Sequence, residues 1–179
     1  MATTNDEVTA LRAVTGELRA RVEALETAFT VLFASITGAL LLGGILLPFL
    51  TGDEDDDDLP LFLISAPFQA LGYRDDDGST DQESTLIGLA LLLLLLVVRS
   101  ALLVLLAVVG SSAGPGTERW AMITGVFLVL GVLGLWVVVG MGLSNDGEVG
   151  PGVVLLSIGA LAFAFLVLPD RIRERWADR

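Results

Sequence analysis

The chain has 179 residues, 54% of them hydrophobic, a mean hydropathy of +0.77 and a net charge of −12, with no cysteine and no histidine. Those two absences exclude disulfides, thiolate metal sites and any mechanism that needs an imidazole base, which covers most Ser-His and Cys-His catalysis. Most of the charges sit in three blocks, the N-terminal tail, residues 53–83 and residues 170–179, and apolar runs of membrane-spanning length lie between the blocks.

The first 27 residues carry eight charges and no apolar core, so they do not form a secretory leader. Thr4 and Glu7 have the spacing of a capping box, and Asp6 suits a first helical turn. Val8, Leu11, Thr15, Leu18, Val22, Leu25, Phe29 and Leu32 then alternate in steps of three and four, a heptad seam with one polar member. Glu17 and Arg21 are placed for an i,i+4 ion pair on its flank. The seam predicts a coiled-coil-like helix over about 5–47, with residues 1–27 as a cytoplasmic extension of the first span. Leu11, Leu18, Val22 and Leu25 are its expected partner-binding members. A lipid-surface role fits less well, because the segment holds five acids against three arginines.

The first span is expected over 28–50, closed by Pro48 near its far end. Ser35, Ala39 and Gly43 recur every fourth residue, as do Ala34 and Gly38, and small residues at that spacing let another helix approach closely. Packing within the chain and contact with a partner subunit both use such a face, and Ser35, Ala39 and Gly43 join the partner-binding candidates.

Residues 51–84 form an acidic loop that holds eleven of the 22 acids. Its apolar stretch, Leu59 to Tyr73, contains Pro60 and Pro67 and is too short to span, so it should rest at a membrane interface or against the bundle. Asp77, Ser79, Asp81 and Glu83 alternate as oxygen ligands do, but an EF-hand register with Gly78 would need an acid where Tyr73 stands. The acids read as a solvated linker, and no metal or cofactor is expected.

Further spans are expected over 85–109, 120–143 and 152–168, the last beginning at Pro151 and ending at Pro169. Trp120 and Trp136 are 16 residues apart, about 24 Å along a helix, which suits one indole in each interfacial belt. Eight arginines fall on one side of this layout (Arg12, Arg19, Arg21, Arg119, Arg171, Arg173, Arg175, Arg179) and only Arg74 on the other. The positive-inside rule therefore predicts a multi-pass plasma-membrane protein with both termini cytoplasmic, residues 169–179 being a basic tail.

Arg99 is the only charged residue within a predicted span. It reads as a snorkelling side chain or as a contact for a lipid phosphate or a partner's charge. No span holds Asp or Glu, which removes the embedded carboxylate that a small four-span multidrug exporter needs. Tetraspan families with cysteine signatures are set aside because the chain has no cysteine.

All ten basic residues are arginine, and with abundant Ala, Gly, Val and Leu this points to a high-GC genome. In length, composition and layout the chain resembles the small four-span membrane proteins of actinobacteria. The expected fold is all-α, an integral membrane four-helix bundle. The expected function is that of a non-catalytic accessory or scaffolding subunit of a larger membrane complex, such as an envelope lipid-transport or respiratory assembly. Its partners are membrane lipids and other integral membrane subunits, not nucleic acid. The alternative is a small oligomeric transporter or channel, whose path Thr30, Ser35, Thr37, Thr124 and Ser157 would line.

Overall fold

Thr3–Leu46 form one helix of 44 residues, α1, in a computed structural model that describes residues 3–51, 61–72, 82–110, 115–143 and 148–167. The expected long helix is present. The side chains of Thr4 and Glu7, and so their capping box, fall outside the described residues. The helix ends earlier than the expected span. Leu47 N–H makes a last bond to the Gly43 carbonyl at 2.9 Å. Pro48 then has no N–H to continue the ladder.

The chain divides into two units, Met1–Phe33 and Ala34–Arg179. In the first, Leu18, Val22, Leu25, Phe29 and Leu32 of α1 are exposed. Arg21 donates to Glu17 at 2.6 Å as the spacing predicted, and Arg19 meets Glu23 at 3.3 Å. The Thr15, Thr27 and Thr30 hydroxyls fold back onto the carbonyls of Arg12, Glu23 and Glu26.

The second unit is mostly helical, as expected, with one small sheet that was not expected. Pro48–Thr51 form β1, Leu61–Phe62 β2 and Glu148–Val149 β3, in the antiparallel order β2-β1-β3. Leu50 stands opposite both Leu61 and Val149, and Gly150 N–H closes onto the Phe49 carbonyl at 3.0 Å. The first span therefore gives way to a strand four residues short of its predicted end. Phe49, within β1, is buried. The described part of the apolar stretch, residues 61–72, packs partly against the helices, with Ile64 and Phe68 left exposed. Leu63 is buried, and the seven-residue helix α2 (Ala66–Gly72) lies on α3 (Gln82–Val109). Gly88 of α3 permits this, since a Cβ there would stand 2.9 Å from Leu71 Cγ and 3.1 Å from the Pro67 carbonyl oxygen.

α4 (Pro115–Leu143) runs along α3 and α5 (Pro151–Val167) along α4. Residues 34–46 of α1 complete the packing. Ala34, Thr37 and Leu41 are buried, and at Gly44 a Cβ would lie 2.8 Å from the Leu156 backbone nitrogen. Gly159 receives Leu41 in the same close approach, with a Cβ position 3.1 Å from the Leu41 backbone nitrogen. Leu91, Leu94 and Val98 of α3, Leu128 and Leu135 of α4, and Leu156 and Phe163 of α5 fill the interior.

Apolar side chains cover the outside too, among them Leu93, Leu130 and Leu161. Helices that are apolar all round belong in a large core or a bilayer. Among the described residues three segments are long and apolar enough to cross a membrane, Val14–Leu46, Gln82–Val109 and Gly116–Met141. The fourth expected span, α5, is apolar but has 17 residues, about 25 Å of helix.

Candidate functional site

Ionisable groups are scarce in the second unit's helices, and Arg99 stands out among them. The α3 interior stripe is Leu91, Leu94, Val98, Ala101, Leu105 and Val108. Arg99 lies 100° of helical turn from Val98 and about 160° from Ala101, so it faces outward. It is exposed, within a surface of exposed leucines that includes Leu89, Leu93, Leu96, Leu103 and Leu106. Among the described residues the guanidinium has neither an ion-pair nor a hydrogen-bond partner. Its neighbour Ser100 is satisfied locally, donating to the Leu96 carbonyl at 2.9 Å.

The packing sets the level of Arg99 along the helices relative to Trp120. Leu94 of α3 meets Gly131 of α4, where a Cβ would be 2.7 Å from Leu94 Cδ1. The two helices are antiparallel in sequence, so eleven residues back from Gly131 reaches Trp120 while eleven forward from Leu94 reaches Leu105. Arg99 is six residues short of Leu105, about 9 Å further in than the exposed Trp120 ring. The other tryptophan, Trp136, is also partly exposed, and its indole donates to Ser157 Oγ on α5 at 3.0 Å. Ser157 in turn donates to the Val153 carbonyl at 2.7 Å.

The remaining predicted residues divide among environments. Leu18, Val22 and Leu25 are exposed on α1, while the side chain of Leu11 lies outside the described residues. Ser35 and Ala39 are at the surface, and Gly43 is half-buried against Leu155, with a Cβ position 3.2 Å from Leu155 Cδ1. The packing of α1 on α3 and α5 uses the adjacent face instead, through Ala34, Thr37, Leu41 and Gly44. In the second unit the candidate path residues lie in different environments. Thr37 and Thr124 are buried, Ser35 is at the surface, and Ser157 is engaged by Trp136.

Asp77, Ser79 and Asp81 lie outside the described residues, as do the other acids of the loop before Gln82. Glu83 is exposed in the first turn of α3. Among the described residues no group of three or more acids is arranged to hold a metal ion. The leucine surface around Arg99 and the Trp136–Ser157 bond were not anticipated from sequence. Both require knowing which face of a uniformly apolar helix points outward.

The class that the fold defines is a helical protein with three segments able to cross a membrane. Comparison with known protein families, with characterised proteins and with solved structures gives no match, so no family narrows that class.

Proposed function

We propose that the chain is a multi-pass plasma-membrane protein, a four-span bundle with both termini in the cytoplasm. In this reading it acts as a non-catalytic accessory or scaffolding subunit of a larger membrane assembly. The spans are α3, α4, α5 and the second part of α1. At about 25 Å, α5 is the short member and sits at the lower end of spanning length. The orientation follows from the eight-to-one distribution of arginines.

The observation that carries the reading is Arg99. In a bilayer its helix face meets lipid, and its backbone lies about 9 Å inside the level of Trp120, an interfacial residue type. Charged side chains at such depth normally face a bundle interior or pair with another charge. The acids of α3 and α4, Glu83 and Glu118, lie in their first turns, away from the level of Arg99, and the apolar runs 85–109, 120–143 and 152–168 hold no Asp or Glu, so the counter-charge comes from a different protein. A carboxylate on a partner's membrane helix is the matching chemistry, as a short charge-assisted pair that the lipid around it cannot screen. The transporter alternative rests on uncharged polar residues in different environments, Thr37 and Thr124 buried and Ser35 exposed.

The test is purification of the tagged full-length chain in a mild detergent, with mass spectrometry of the proteins that accompany it. Wild type should retain a membrane protein with an acidic residue inside a span, at fixed stoichiometry. Arg99→Leu should lose it while inserting normally, and Arg99→Lys should recover part of it. A wild-type chain that purifies without foreign subunits, or an Arg99→Leu variant that keeps them, contradicts the reading.

A further inference from the structure

From the heptad register of α1 we infer that residues 7–32 pair with the same segment of a second copy, as a parallel, in-register two-stranded coiled coil. This goes beyond the accessory reading, which concerns a foreign subunit at α3. With Thr15, Val22 and Phe29 at a and Leu18, Leu25 and Leu32 at d, the seam of the first unit is assigned completely. Its large apolar members are exposed, from 52% at Val22 to 70% at Leu25. In the sequence Val8 and Leu11 continue the pattern toward the N-terminus. β-Branched residues at a with leucine at d favour two parallel strands. Val8, Thr15 and Val22 supply the first, and every d position is leucine.

The flanking charges choose a second copy over a foreign helix. In a parallel pair each g residue faces the e residue five positions further along its partner. Arg21 occupies g and Glu26 e, so Arg21 of one copy faces Glu26 of the other. Glu7 at g and Arg12 at e repeat the match with the signs reversed. The remaining g positions, Val14 and Ala28, are uncharged, so no g–e pair sets like charges together. Arg21 also donates to Glu17 of its own helix, and its five N–H groups allow it to serve both carboxylates. Two copies in one membrane share an orientation, which makes their α1 helices parallel. Anchorage also raises the effective concentration of so short a coil. A lipid surface is the poorer occupant for a segment with more acids than arginines.

The chain has no cysteine, so single-cysteine variants of the full-length protein report this contact in membranes without background. Leu18→Cys and Leu25→Cys at d should each give a disulfide-linked dimer of the chain under mild oxidation. Ala20→Cys and Glu23→Cys, at f and b on the opposite side, should not. Within the Leu18→Cys background, Arg21→Glu or Glu26→Arg alone should lower the dimer yield several-fold. Together they should restore it. Equal crosslinking at all four positions, none at Leu18 and Leu25, no recovery in the double reversal, or a foreign protein captured at Leu18 would each overturn the inference. These readouts concern only self-pairing, and stand or fall apart from the foreign subunits that Arg99 is proposed to hold.

Discussion

The Trp136 indole and the Ser157 hydroxyl, 21 residues apart in sequence, share a 3.0 Å hydrogen bond that joins α4 to α5 at the surface of the helical packing. The indole is partly exposed, and in hydrocarbon its N–H would have no other partner. Ser157→Ala or Trp136→Phe should each lower stability by about 0.5–1.5 kcal/mol, toward the low end for a bond within a membrane. Thermal unfolding in detergent measures this. The double variant should be little worse than the more damaging single one, because both remove the same bond.

The close approach of α1 to α5 predicts a graded series of glycine replacements. Gly44→Ala puts a methyl against the Leu156 backbone, at 2.8 Å from both its nitrogen and Cα, and backbone cannot step aside. A loss of about 1–3 kcal/mol is expected, the usual cost of overpacking. Gly43→Ala meets only the end of the Leu155 side chain, at 3.2 Å, and Gly38→Ala only Leu105 Cδ1 at 3.8 Å. Both should be close to neutral or slightly stabilising in the same assay.

Much of this was legible in the sequence. The long periodic helix, the apolar runs of α3 and α4 and the proline start of α5 are signals of helical period and length. α4 begins at Pro115 rather than Trp120 because Gly116, Thr117, Glu118 and Arg119 make a polar first turn, which an apolar run does not reveal. The sheet was missed because β2 and β3 have two residues each, too few to show alternation, and because β1 continues the apolar run of the first span. The face of α1 that packs was ambiguous for a similar reason. Ser35, Ala39 and Gly43 and the neighbouring Ala34 and Gly38 share one four-residue spacing. Only the positions of Leu41 and Leu156 show that the Ala34–Leu41–Gly44 side is the buried one.

The orientation predicts a labelling pattern. Cysteines introduced at Ser79 and Asn145 should react with an impermeant maleimide in intact cells, and one at Ser112 should react only after permeabilisation. Labelling of Ser112 with protection of Ser79 would invert the topology.

Replacing Leu18 and Leu25 together with serine removes two d-position leucines, each worth about 1.5–3 kcal/mol when fully buried. Because both copies carry the change, four leucines leave the pair, and self-association should weaken by about four orders of magnitude or more at roughly 1.4 kcal/mol per tenfold. Membrane insertion should be unchanged, since the spanning segments are intact. The mass of the solubilised chain as a function of its concentration measures the shift.

The claim that the chain works through contact at α3 is tested most directly by photocrosslinking in native membranes. A photoreactive residue at Leu96 or Leu103, each within one turn of Arg99 on the exposed face, should capture one membrane protein with an acidic residue inside a span. The same residue at Leu130 on α4 should capture lipid, and Arg99→Leu should abolish the protein adduct at α3. Lipid adducts alone at Leu96 and Leu103, whether or not Arg99 is present, would contradict the account.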